Sequence, residues 1–241
     1  MTKIVINNKI FDYNPEVLTY ETAVPLNLAD AKENLLLFKK AADTQNLFFL
    51  LYYGTLLGVI RETNFIKHDI DIDVVTNDET SLQNIIPILN EYGFSFIRYE
   101  TTKSLHSFTT VYSFRRKSVY IDVYIAYFEK QKKCYNLLGS YIPCKWIDET
   151  TMISFLENDF QIPKDYIKIL ETLYGKNWTI PIIHQPGDFK KDKLLKDRIR
   201  DCIFYLINRL KRILKRIFPK IYIKIKHLVK KKSFLDNHHQ P

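Results

Sequence analysis

Glycine is scarce in this chain, six residues in 241. Backbone that can turn without a Cβ is therefore rationed, and the pair enclosing one short stretch, Gly54 and Gly58 in "GTLLG", stands out. Cysteine is scarcer still. Cys134, Cys144 and Cys202 form no C-x-x-C pair and no metal-finger spacing. That excludes a disulfide scaffold and predicts reduced thiols in a cytoplasmic setting. Long apolar runs are missing too: Leu47 to Ile60 spans 14 residues and contains Gly54 and Thr55, short of the roughly 20 a spanning helix needs. No apolar stretch follows Met1, so no secretory signal is expected. These absences predict a soluble or peripheral protein.

What is present suffices for one sizeable core. Hydrophobic residues make up 46% of the chain, with 16 Tyr and 16 Phe among them. The net charge of +9 is unevenly placed. Residues 188–232 carry 17 Lys/Arg against 4 Asp, a balance of +13, whereas residues 1–187 carry 19 Lys/Arg against 22 Asp/Glu, a balance of −3. A mildly acidic body, 1–187, is thus followed by a strongly basic segment, 188–241, and the two are expected to do different jobs.

Periodicity predicts the elements of the body. Lys3–Phe11 suggests a hairpin turning at Asn7-Asn8 or an edge strand, and Asn27–Asn46 an amphipathic helix capped by Asn27 or Asp30. Leu47–Tyr53 suggests a buried strand, "GTLLGVIRE" a short helix, and "DIDIDVV" an alternating strand. A helix over Ser81–Gly93, three strands between Phe94 and Phe128, and a helix from Pro163 to Gly175 complete a compact α/β sheet.

The alternating strand carries the chemistry. On one strand Asp69, Asp71 and Asp73 would share a face, with Ile70, Ile72 and Val74 on the other. Carboxylates so placed repel unless a cation sits among them, and Mg²⁺ takes such oxygens while keeping positions open for phosphate. Asp122, between Ile121 and Val123, adds an isolated acid on a later strand. Gly54-Thr55 could offer backbone N–H groups and a hydroxyl to a phosphate at a helix start. Together these predict a two-metal type of phosphoryl-transfer site, using Mg²⁺ or Mn²⁺. The plain alternative is a half-exposed edge strand with a solvated acidic face.

"YGTLLGVIRETNFIKHDIDIDV" resembles the signature of the LicD/fukutin family of phosphotransferases, a GTLLG-x-x-R segment leading to an aromatic-D-x-D-x-D strand. "QIPKDYIKILETLYGKNWTIPI" resembles that family's closing segment, and Asp122 in "YIDVYIA" occupies the place of its third acid. The likeness spans roughly residues 30–185. It departs at His68, where the family has an aromatic residue, and the cysteines do not match the structural zinc site of some animal relatives.

The resemblance implies a nucleotidyltransferase-like fold, α/β (α+β), with a mixed sheet flanked by helices. It implies transfer of phosphocholine, ribitol phosphate or glycerol phosphate from a CDP-activated donor to a sugar hydroxyl of a cell-surface glycan, such as capsule or lipopolysaccharide, releasing CMP. Asp71 and Asp73 would hold the metal and Asp122 would complete the site and, by preference, take the acceptor's proton. Asp69 would bind metal or orient the ligands. Gly54, Thr55 and Arg61 would contact donor phosphates.

Other residues have plain readings beside functional ones. His68 could be a base or an exposed strand-entrance residue; Arg115-Arg116-Lys117 could guide an anionic donor or form a solvated hairpin turn. Tyr174 and Trp178 could line a pocket or pack.

In the basic segment, Asp197–Phe218 sets Ile199, Ile203, Leu206, Leu210, Ile213 and Ile217 in one stripe among Lys and Arg. That pattern predicts an amphipathic helix at an anionic membrane surface, or else one docked on the body. No nucleic-acid module accompanies the charge, and no nucleic-acid partner is expected. The expected location is cytoplasmic, peripheral at the inner face of a membrane, in a bacterium. Two rivals remain: a nucleotidyltransferase moving NMP onto a small molecule, RNA or protein, and an inactive membrane-associated scaffold.

Overall fold

A computed structural model describes residues 2–18, 24–103, 108–130, 132–138 and 140–181. The expectations for the basic segment 188–241 lie outside the described residues.

The chain opens with a hairpin, β1 (Thr2–Ile6) and β2 (Lys9–Tyr13), turning through Asn7 and Asn8 at φ 49° and 65°. Asn tolerates that left-handed region better than other residues with a Cβ, and a twisted hairpin needs it. α1 (Leu28–Thr44) starts where Asn27 accepts the N–H groups of Ala29 and Asp30. Next come β3 (Leu50–Leu51), α2 (Tyr53–Glu62), β4 (Ile72–Thr76) and α3 (Glu79–Glu91), the last capped by Asp78. Three longer strands follow: β5 (Ser95–Lys103), β6 (Phe108–Arg116) and β7 (Val119–Ile125). β8 (Tyr127–Glu129), β9 (Cys134–Leu137) and β10 (Ser140–Pro143) make a small sheet. α4 (Lys145–Asp148), the hairpin β11 (Thr150–Phe155) with β12 (Asn158–Pro163), and α5 (Tyr166–Tyr174) close the described body.

The central sheet is mixed, in the order β3-β4-β7-β6-β5. β4 runs parallel to β7, and the other neighbours are antiparallel. Period-2 alternation gives this sheet two unlike faces. Ile72, Val74, Ile121, Val123, Phe114 and Phe96 are all buried on one of them, together with Leu35 and Phe38 of α1 and Leu82, Ile85 and Ile86 of α3. Each such side chain contributes about 1.5–3 kcal/mol on leaving water. The opposite face carries the polar residues described below.

Three expectations are corrected. The buried segment Leu47–Tyr53 is a strand only at Leu50–Leu51, because Tyr53 already begins α2. The closing helix starts at Tyr166, not Pro163, since Pro163 is still paired with Thr150 at the end of β12. "DIDIDVV" is not one strand. β4 begins at Ile72, and the backbone of Asp69 is spent outside the ladder, its N–H on Ile66 and its carbonyl accepting from Leu26. β4 is moreover an interior strand with all five residues buried, which overturns the solvated-edge alternative.

Candidate active site

Strand register assembles the site. Asp73 of β4 pairs with Asp122 of β7, Asp122 with Ser113 of β6, and Ser113 with Arg98 of β5. Register partners share a face, so the four side chains form one polar row across four strands. Asp122 is the most heavily bonded member. Its Oδ1 accepts the Ser113 hydroxyl at 2.5 Å, and its Oδ2 takes the Arg98 guanidinium in an ion pair and the Tyr124 hydroxyl at 3.3 Å. Arg98 Nε also donates to Ser113 Oγ at 2.8 Å.

The start of α2 clasps the other end of the row. The Gly54 N–H donates to Asp73 Oδ2 at 3.0 Å, and Thr55 Oγ1 accepts the Asp73 N–H at 2.9 Å. A Cβ on Gly54 would lie 2.3 Å from Asp69 Oδ2 and 3.2 Å from Asp73 Oδ2, so glycine lets two carboxylates approach the helix start. Tyr53, just before it, sits at φ 41°, a conformation costly for a residue with a Cβ. Its ring packs edge-on against Tyr124, 5.2 Å between centroids.

The row and the start of α2 thus bring four acids together with one arginine, at Asp122, and their electrostatics show the imbalance. Burial foremost, then the charges of its neighbours, pushes Asp71 well above the ordinary carboxylate range; Asp73, Asp122 and Asp69 all act on it. Asp73 rises for the same reasons, opposed by the Gly54 N–H. Burial raises Asp122 despite the opposing pull of Arg98. Asp69 is raised to about 6, mainly by burial, against hydrogen bonds from Ile70 and Asp71 that lower it. Burial also pushes the Tyr124 and Tyr174 phenols up, with the acids adding to it.

A cleft of about 220 Å³ opens beside the row, lined by Asp71, Asp122, Arg98, Tyr120 and Tyr124 with apolar walls such as Ile70 and Leu138. The donor set suits a hard divalent cation: buried carboxylate oxygens, raised affinities for protons, too few positive neighbours. The oxygens are nevertheless not gathered as they stand. Among the described residues no group of three or more His, Cys, Asp or Glu is arranged to hold a metal ion. Asp122 is turned into its bonds with Arg98 and Ser113.

The structure therefore brings Asp69, Asp71, Asp73, Asp122 and Gly54 into one neighbourhood. The N–H of Gly54 and the hydroxyl of Thr55, expected at phosphates, are engaged by Asp73. Arg61 lies about two helical turns further along α2, paired with Glu62 and donating to the Trp178 carbonyl at 3.3 Å. His68 is exposed. Arg115 and Arg116 end β6 and Lys117 begins the turn to β7, and they are bound to Glu16, Glu33 and Asp30 rather than to the site. Sequence reasoning missed Arg98, Ser113 and Tyr124. An arginine inside the apolar "FSFIRYE" was the available signal, hidden by a β-bulge between Phe96 and Arg98 that breaks the alternation.

The model of the LicD/FKTN/FKRP nucleotidyltransferase domain matches residues 46–174, more than half of the chain, from just before β3 to the end of α5. An uncharacterized protein of Rickettsia prowazekii (strain Madrid E), RP689, is 29% identical over 113 residues, 44% of this chain and 38% of that protein. The match thus spans well under half the length of that relative. Among solved structures, the solution structure of the antibiotic-resistance factor ANT(2'')-Ia aligns with TM-score 0.42 and 14% identity over 85% of this chain and 99% of that one. A crystal structure of ANT(2'')-Ia with adenylyl-2''-tobramycin aligns with TM-score 0.38 and 16% identity over 79% and 98%.

Proposed function

We propose that this chain, which belongs to the LicD/FKTN/FKRP nucleotidyltransferase family, transfers a phospho-alcohol from a CDP-activated donor to a sugar hydroxyl of a surface glycan and releases CMP. The observation that carries this reading is the register pairing of Asp73 with Asp122, which with Asp71 lines a cleft. Burying two acids on adjacent interior strands is costly, and the Gly54 N–H and the single Arg98 guanidinium offset only part of that cost.

Asp71 and Asp73 would hold Mg²⁺ or Mn²⁺, with Asp122 completing the set and Asp69 a further oxygen donor. The ion supplies neutralisation of the diphosphate and polarisation of the phosphoryl group being transferred. The chain's own residues do the rest. Gly54 and Thr55 fix Asp73 from both its carboxylate and its backbone. The acceptor hydroxyl oxygen forms the new bond to the donor's distal phosphorus, and the bond from that phosphorus to the bridging oxygen breaks. CMP leaves with the bridging oxygen, and the hydroxyl's proton passes to Asp122, which faces the cleft.

The location follows as part of the same proposal. Among the described residues no helix is long and apolar enough to cross a membrane, and the basic segment 188–241 would hold the enzyme at an anionic inner membrane face.

The test is thermal stabilisation by CMP, CDP, CTP, CDP-choline, CDP-ribitol and CDP-glycerol, with and without Mg²⁺, followed by product analysis. A metal-dependent shift with one CDP-alcohol and release of CMP supports the reading. The family's description as a nucleotidyltransferase domain favours NMP transfer as the second reading, and pyrophosphate release from CTP would select it. Silence across the panel would leave the scaffold.

A further inference from the structure

The groups first expected to meet phosphate are already committed. The Gly54 N–H donates to Asp73, the Thr55 hydroxyl is buried and accepts the Asp73 N–H, and Arg61 is bound to Glu62 and the Trp178 carbonyl. Asp71, Asp122 and Glu100 wall the cleft, so a phosphate there meets three carboxylates, and a cation of the protein facing it would add to the neutralisation a bound metal ion supplies. Among the described residues lining it, Arg98 is the single cation.

Its geometry fits that task. Of the five N–H donors of a guanidinium, Nε uses one on Ser113 and Nη2 one on Asp122. Three remain without a protein partner among the described residues. An arginine serving only to neutralise Asp122 would engage both carboxylate oxygens as a fork. Here the fork straddles Ser113 and one oxygen of Asp122, and the side chain keeps 21% of its surface exposed, against 3% for Asp122.

The backbone is shaped to put it there. Phe96 pairs with Phe114 on the helix-covered face, and plain alternation would set Ile97 opposite Ser113 and Arg98 among the helices. The bulge inserts Ile97, fully buried, and delivers Arg98 opposite Ser113 on the cleft face. A bulge beside a site that re-aims one side chain is a recurrent device.

We propose that Arg98 is the phosphate-binding residue of this site, anchored to Asp122 and Ser113 on one edge and offering its remaining N–H groups to a donor phosphate oxygen in the cleft. The proposal rests on the phosphate-bearing donor inferred above. It also makes Arg98 the residue through which donor arrival and the orientation of Asp122 are linked, because one guanidinium touches both.

The experiment is titration calorimetry of cytidine and CDP at saturating Mg²⁺, read as the ratio of their affinities. The wild-type chain should prefer CDP by at least tenfold. Arg98→Met should erase most of that preference while leaving cytidine binding unchanged, and Arg98→Lys should keep part of it, since an ammonium supplies charge without the fork. Arg98→Met strands a buried Asp122, so the same comparison is made between Asp122→Asn and Asp122→Asn/Arg98→Met, where no unpaired charge remains; the loss should recur. A wild-type ratio in both Arg98→Met proteins overturns the assignment while leaving the donor reading intact. No preference for CDP in the wild-type chain overturns the donor reading, and the assignment with it.

Discussion

Asp73 and Asp122 stand opposite each other on adjacent parallel strands, so two buried carboxylates leave the sheet on the same face at neighbouring positions. Strands lie about 4.8 Å apart, close enough for each charge to oppose the other's ionisation. The fold answers with a backbone amide at one carboxylate, Gly54 to Asp73, and a guanidinium at the other, Arg98 to Asp122. One cation among four acids leaves a deficit of positive charge, and most of what can be tested here follows from it.

Replacing Asp71 or Asp73 by Asn should lower transferase activity by at least about a hundredfold, because in the proposed reaction those oxygens would hold the ion that neutralises the diphosphate. The fold should survive, since each change removes a buried like charge. Steady-state assays beside circular dichroism decide this; near-normal turnover in either variant would sink the site.

Gly54→Ala places a methyl where Asp69 Oδ2 now lies, 2.3 Å from the new Cβ. Asp69 is a side-chain tip and can swing aside, so melting should change little. Displacing an oxygen that orients the site should cost about 10–100-fold in activity or metal affinity. Full activity in Gly54→Ala would show that the close approach is incidental.

Asp69 sets a stability trend with pH. Its folded value, about 6, lies above the ordinary 3.8, so the folded state holds the proton more tightly than the unfolded chain. The stabilisation is fully present below pH 3.8 and is lost as pH rises through 6. In metal-free protein at pH 7, Asp69→Asn should therefore stabilise by about 3 kcal/mol, roughly 6–12 °C in Tm, and the gain should vanish near pH 4. A gain that does not depend on pH would refute this account of the charge.

Deleting residues 197–241 should abolish binding to anionic vesicles in a sedimentation assay while leaving donor-induced thermal stabilisation intact. Vesicle binding that survives the deletion would assign membrane attachment to the body instead.

Legibility in the sequence followed the range of the interactions. The Asn7-Asn8 hairpin, the Asn27 cap and the end of α3 at Gly93 are made by residues within a few positions of one another, and local chemistry predicts them. The same reasoning failed where a distant contact overrode the pattern. Strict alternation from Asp69 to Val75 suggested one strand, but the Leu26 N–H takes the Asp69 carbonyl and the ladder starts three residues later. Pro163 suggested a helix start, but pairing with Thr150 keeps it in β12.

The amino-acid sequence by itself determined which acids are candidates, their spacing, the glycine pair that stands out in a glycine-poor chain and the family to which the chain belongs. Those are properties of residue types at fixed separations. Only the tertiary structure decided that Asp122 faces Asp73, that Ser113 and Arg98 extend the row, and that Gly54 and Thr55 serve Asp73. Strand order and register, together with one bulged residue, set which distant side chains share a face, and no local pattern records them.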